Sequence, residues 1–213
     1  IARVTWQRNT LDRKQYASRG TLLRLSVKGV TGEETTIPGS TSFLKDTTFT
    51  EHRWLVLKAN YTNYFFQRQW VGMGFHLSAT YSTQDFFENY VSSSIMAPAF
   101  EPLPESPSLF LPQFRSHAYA TGGMELIVHL ARNVELRGQA HLFGTQMPLI
   151  SNSRNQPVMG DSPQVLFTGS GTLVLHSPLG PVSLSANYYD NKDEPWSILF
   201  NFGYLLYNAS SRE

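Results

Sequence analysis

The sequence predicts an all-β chain, a transmembrane antiparallel β-barrel of which about nine strands are present. Three observations carry this. Apolar and polar residues alternate with a period of two over segments of about 10 residues, the length a tilted strand needs to cross a bilayer, against roughly 5 to 6 in soluble domains. The connections between segments alternate short and long, as they do when turns lie on one side of a membrane and loops on the other. Aromatic residues crowd the expected strand ends, with Tyr64, Phe65, Phe66 and Trp70 beside a turn and Tyr81, Phe86, Phe87, Tyr188, Tyr189 and Trp196 beside the loops. Such belts suit the two membrane interfaces.

Taken in order, Ala2, Val4 and Trp6 alternate with Arg3, Thr5 and Gln7, and residues 9–14 then read as a turn. The second strand sets Leu23, Leu25 and Val27 against Arg24, Ser26 and Lys28, and residues 31–49, rich in Gly, Thr, Ser and Pro, read as a long polar loop. The third strand has Leu55, Leu57, Ala59 and Tyr61 opposite Lys58, Asn60 and Thr62, and it turns at residues 67–69. The fourth runs from Val71 to Tyr81 with Gly72, Gly74, His76, Ser78 and Thr80 on its polar side. Residues 84–114 form a loop with five prolines, and structureless loops beyond about 15 residues are usually functional or disordered. The fifth and sixth strands meet at Arg132-Asn133 and place Glu125, His129, Glu135, Arg137, Gln139 and His141 on the polar face. After a loop at residues 147–163, three alternating segments follow, separated by Pro178-Leu179-Gly180 and by residues 191–195. Their apolar face runs through Val165, Phe167, Leu173, Leu175, Val182, Leu184, Trp196, Ile198, Phe200 and Phe202.

Composition excludes several classes of function. The chain of 213 residues has a formal charge of +1 and 15% charged residues, with no basic stripe for nucleic acid and a low charge content for a soluble domain, where about 25% is usual. It has no cysteine, so disulfide and thiolate chemistry are absent. No apolar run reaches the roughly 18 residues of a transmembrane helix. The chain opens on an alternating strand without an initiator Met or a signal peptide, and is expected to be part of a longer one. Nine strands is an odd number, whereas single-chain bacterial barrels have even ones, and open sheet edges do not sit in lipid. The missing strands are expected upstream or from a second subunit.

The segment Asn9-Thr10-Leu11-Asp12, continuing to Tyr16-Ala17-Ser18-Arg19-Gly20, resembles the periplasmic turn of the BamA-like (bacterial surface antigen) superfamily of outer-membrane assembly and translocation barrels. There the turn joins the middle strands of a 16-stranded barrel, so the resemblance implies that residues 1–213 are the C-terminal part of one such domain. It also implies that residues 84–114 take the place of an extracellular loop that folds inward, with an arginine latched onto the barrel wall. Gln113-Phe114-Arg115-Ser116-His117 is the nearest match to the latch motif, without its glycine, and makes Arg115 the latch candidate. The run Ala97-Pro98-Ala99-Phe100-Glu101-Pro102, with Glu105-Ser106 and Leu109-Phe110-Leu111, is most similar to the C-terminal barrels of Bacteroidota patatin-like phospholipases. In those proteins a hydrolase domain with a Gly-x-Ser-x-Gly elbow precedes the barrel. Here Gly169-Ser170-Gly171 lies mid-strand and lacks that pattern, so it reads as wall. At the terminal strand Asn201, Gly203 and Leu206 match the family's assembly signal, although Asn208 stands where an aromatic residue is expected; an ordinary closing strand is the other reading.

The expected polar lumen comprises Lys58, His76, Glu125, His129, Glu135, Arg137 and His141, read as solvated residues paired with one another. No catalytic, cofactor or metal site is assigned. The resemblance implies a bacterial outer-membrane location and two kinds of partner: membrane lipids, and the barrel assembly machinery during insertion. Other outer-membrane proteins or a second subunit complete the expected partners. The expected function is to anchor, and to help export, an N-terminal patatin-like phospholipase domain, with no catalysis in this chain. An assembly, insertion or secretion factor of the BamA and TamA kind is the alternative. A passive porin is the third reading, and a lumen-filling loop counts against it.

Overall fold

Period-two alternation becomes a single antiparallel sheet of nine strands. The computed structural model describes residues 1–37, 39, 46–103, 106, 109–190 and 193–203. The sheet is built from β1 (Ala2–Asn9), β2 (Gly20–Thr36), β3 (Thr48–Gln67), β4 (Val71–Ser82), β5 (Ala118–Ala131) and β6 (Val134–Thr145), and from β9 (Gln164–Ser177), β10 (Gly180–Tyr189) and β11 (Trp196–Phe202). Each strand pairs with the next of these in sequence, in the order β1-β2-β3-β4-β5-β6-β9-β10-β11. Two short strands, β7 (Leu149–Ser151) and β8 (Pro157–Met159), form a separate hairpin within the connection that follows β6. No helix among the described residues is long and apolar enough to cross a membrane, which has no bearing on a β-barrel.

The sheet is strongly staggered and curled. Following directly opposed residues from Asn9, at the turn end of β1, the row passes through Leu22, Thr62, His76, Gly123, His141 and Thr168 to Tyr189, at the loop end of β10. A row that climbs the full height of the strands means that they are tilted across the sheet. The curl brings the β1–β2 connection across to β10, where the Tyr16 hydroxyl donates to Ser183 Oγ at 2.8 Å.

Burial on the two faces is the reverse of a soluble sandwich. The apolar set faces out: Trp6, Leu25, Leu57, Leu77, Met124, Leu136, Leu142, Leu173, Leu184, Ile198 and Phe200 are all exposed. The polar set faces in, where Thr80, Glu125, Glu135, Arg137, His141, Thr168, Thr172, Ser183 and Asn187 are buried. The inner face is closed over by two segments, the β1–β2 connection at the turn end and the β4–β5 connection at the loop end.

Several local expectations are corrected. Much of the predicted loop at residues 31–49 is strand, because β2 and β3 pair as far as Thr36 and Thr48. Its Thr and Glu residues are polar on both faces, so the ladder extends with no hydrophobic period to betray it. The β4–β5 connection contains the helix α1 (Tyr90–Met96), whose first turn is capped by Asn89 Oδ1 accepting from Ser92 N at 2.8 Å. Two members of the aromatic belts turn inward. Tyr64 keeps the inward parity of Lys58, Asn60 and Thr62, and Tyr189 is buried at 1% exposure; the register shift in β3 between Asn63 and Phe66 instead turns Phe66 outward beside Phe65. Phe87 likewise packs on His52 and Trp54 instead of standing at the rim. Phe65, Phe66 and Trp70 at one end, and Tyr81 and Trp196 at the other, are exposed.

Candidate functional site

The inner face holds two differently built clusters. At the turn end, Arg137 of β6 lies between Glu125 of β5 and Glu135 two residues before it, all three on the same face because each is an even number of residues from its neighbour in register. Arg137 Nη1 donates to Glu125 Oε1 at 2.8 Å, and Nη2 and Nε donate to Glu135 Oε2 at 2.8 and 3.0 Å. The remaining two N–H groups donate to main-chain carbonyls of the β1–β2 connection, Ala17 O at 3.0 Å and Tyr16 O at 2.7 Å. All five guanidinium donors are therefore used, the condition under which a charge at 2% exposure is tolerated.

The carboxylates are also saturated. Glu125 Oε2 accepts from Tyr64 Oη at 2.9 Å and lies 3.2 Å from His76 Nε2. Glu135 Oε1 accepts from Arg13 Nη1 at 3.0 Å and has His129 Nδ1 at 3.5 Å, and His176 Nε2 lies 3.1 Å from Oε2. The Tyr64 ring lies against Gly74, where a Cβ would come within 2.6 Å of the ring, so the absent side chain makes room for the tyrosine. The turn itself is organised by Asp12, whose carboxylate accepts from Ser18 N, Ser18 Oγ and Arg19 N at 2.9, 3.0 and 3.1 Å. Partial burial raises the Asp12 pKa, but these bonds and the Arg13 charge outweigh it and hold the carboxyl below the usual carboxylate value.

At the loop end the filling is apolar. Phe100, Leu103, Leu111 and Phe114 of the β4–β5 connection pack on Tyr119, Phe143, Leu166 and Tyr189 of the sheet, all buried. Phe100 stacks on Phe143 with centroids 5.8 Å apart, and Phe114 meets Phe143 and Tyr189 edge-on at 5.7 and 6.2 Å. Polar ties complete the contact: Tyr119 Oη donates to Ala99 O at 2.9 Å, and Ser106 Oγ and Tyr189 Oη lie 3.1 Å apart. His117 lies against Phe86, and burial lowers its pKa against the opposing pull of Asp85.

Each expected site residue now has a position. His76, Glu125, His129, Glu135 and Arg137 share one network, but Glu125, Glu135 and Arg137 are buried rather than solvated. His141 lies beside His76, with centroids 5.7 Å apart, on the opposing Gly123. Lys58 stands apart, half-buried, opposite Ser26 and Thr80. Among the described residues Arg115 does not reach the sheet with its hydrogen bonds: Nη1 donates to Ser94 O, Ile95 O and Ala97 O at 3.2, 2.7 and 3.2 Å, which ties down the C-terminal end of α1. The guanidinium also lies over the Phe110 ring at 5.3 Å. Aromatic burial, not this arginine, joins the loop to the wall. Asn201 pairs with Ser183, Gly203 N donates to Pro181 O at 2.9 Å, and Leu206 lies outside the described residues. Sequence reasoning missed Arg13 and Tyr16, which reach the site through the curl of the sheet, and Tyr64 and His176, which the polar parity of β3 and β9 could have found.

Chemically the turn-end cluster is a lock. Its ionised groups are consumed by one another, and among the described residues no three His, Asp or Glu are arranged to hold a metal ion. The chain matches no protein-family model, and no curated protein is significantly similar to it.

Proposed function

We propose that this chain is the C-terminal part of a closed outer-membrane β-barrel of the BamA-like superfamily, the membrane domain of a patatin-like phospholipase. It anchors, and helps to export, an N-terminal hydrolase domain, and performs no catalysis itself. The observation that carries the membrane reading is the inverted sheet, apolar outward over nine strands and polar inward around a buried Arg137. In water the outward face would be a large unfavourable exposure, whereas lipid is its natural solvent. Supporting it are the stagger of the strands, the exposed aromatic residues at both rims, and the short-turn, long-loop alternation. Edge strands β1 and β11 each have one partner strand among the described residues, which is why further strands belong to the proposal. The filled inner face favours an anchor over a passive porin. The step to the phospholipase rests on the sequence resemblance of the loop between β4 and β5.

The test is the intact mass of the natural polypeptide in outer-membrane fractions, with phospholipid hydrolysis assayed on the same material. A mass well above 24.1 kDa together with hydrolysis is the expected result. A 24.1 kDa polypeptide, or a longer one that leaves phospholipid intact, would remove the enzyme-anchor reading.

A further inference from the structure

Charge is distributed unevenly along the sheet. Acidic residues outnumber basic ones towards the loop end, where Glu33, Glu51, Asp85, Glu88, Asp161 and Glu194 stand with Arg53, Arg115 and Arg154. The turn end carries Arg8, Arg13, Lys14, Arg19, Arg68 and Arg132, against Asp12 and Glu135.

Three neighbouring connections at the turn end line an open cavity of about 980 Å³: the β1–β2 connection, the β3–β4 turn and the β5–β6 turn. Arg19, Arg68 and Arg132 line it, one from each. Its two carboxylates are already committed, Asp12 to the backbone of its own turn and Glu135 to Arg137 and Arg13. By contrast, among the described residues the side chains of Arg19, Arg68 and Arg132 form no hydrogen bond or ion pair, Arg68 lying 5.9 Å from the Phe66 ring. The cavity also has an apolar margin. Trp70 and Leu130, 61% and 52% exposed, line it where it meets the outward face.

We infer that this cavity is a binding site for an anionic phospholipid, whose phosphate diester sits among Arg19, Arg68 and Arg132 while its acyl chains run down the outward face past Trp70 and Leu130. Guanidinium groups match phosphate oxygens in geometry and charge, and an indole at the rim suits the headgroup level. Free phosphate has no use for the apolar margin. Lipid uses both halves of the site. The inference rests on the membrane reading, and it adds an orientation: the turn end meets the leaflet that holds glycerophospholipid, with the acidic loop end on the other side.

The test is native mass spectrometry of the protein purified in detergent and stripped of lipid, with phosphatidylglycerol, phosphatidylcholine and inorganic phosphate added separately. Phosphatidylglycerol should be retained in preference to phosphatidylcholine, and that preference should fall about fivefold for each arginine removed in an Arg19→Gln, Arg68→Gln, Arg132→Gln series. Equal retention of the two lipids, or a preference unchanged in the triple variant, would overturn the site; phosphate held as tightly as phosphatidylglycerol would overturn lipid as its occupant. Insertion into pure phosphatidylcholine vesicles, which needs none of the three arginines, reports on the barrel separately. Failure to insert there sinks the proposed function and this site with it, whereas insertion without lipid preference sinks the site alone.

Discussion

The two ends of the inner face are filled by opposite chemistry. At the turn end, a saturated set of charges ties residues 13–17 to strands 120 or more positions away; at the loop end, aromatic side chains bury one another with few polar ties. The difference teaches what each contact specifies. A guanidinium with five directed donors fixes its partners in one geometry, whereas a stack of phenylalanines gains from any close packing of similar area. The turn end should therefore yield abruptly and the loop end by degrees.

The largest effect is expected at Arg137. Replacing it by alanine strands Glu125 and Glu135 without their main donor and should cost about 3 to 5 kcal/mol, read as a lowered midpoint of urea unfolding in detergent. Combining Arg137→Met with Glu125→Gln and Glu135→Gln should recover most of that loss; no recovery would mean that the arginine is needed for its bonds to Tyr16 and Ala17 rather than for charge balance. Next comes Phe114→Ala, worth about 3 kcal/mol of buried packing. Its effect should appear as protease cleavage within residues 84–114 with the melting of the sheet unmoved, and a collapse of the whole sheet would show that the loop is not a separable unit. Tyr16→Phe removes one hydroxyl bond to Ser183 and should cost about 1 kcal/mol.

The smallest effect is in pH. Burial holds His117 below its ordinary value of 6.5, so the folded state binds fewer protons; its stabilisation is complete above 6.5 and is lost as pH falls towards the folded value. Asp12 is held below its ordinary 3.8, so its contribution is complete above 3.8 and is lost as pH falls through the folded value. Acidification from pH 7 to 5 should loosen the loop, by protease sensitivity, while the turn stays protected; simultaneous loosening would break the contrast.

Strands and faces were legible because period two is written directly in the residues, as in Val71 to Tyr81 or Val134 to Leu142. The inner polar set was legible for the same reason, since Glu125, Glu135, Arg137 and His141 fall on the parity opposite to the leucines. What escaped has physical causes. The extension of β2 and β3 is polar on both sides and so has no period. The bulge after Asn63 breaks parity and turns Phe66 outward beside Phe65, which composition does not announce, whereas Tyr64 simply continues the inward parity of Lys58, Asn60 and Thr62. The helix α1 has seven residues, too few for a 3.6-residue period to emerge, although Asn89 three before Ser92 is a cap signal. The partners of Arg137 at Tyr16 and Ala17 are carbonyls, which every residue has. Arg115 had a family role attached to it, and its environment, the open end of α1 beside it, gave the guanidinium nearer acceptors.

The bonds from Arg13 and Tyr16 also set an order of events. Every strand of the sheet pairs with a near neighbour in sequence, so the meander can zip locally, but Arg13 meets Glu135 122 positions away and Tyr16 meets Ser183 167 positions away. Closing such long loops is slow and unrewarded until the strands between them exist. The first connection of the chain should therefore be the last to dock, acting as a strut that sets how tightly the finished sheet is curled. A label pair at 16 and 183 would report its arrival, after the strands themselves are formed.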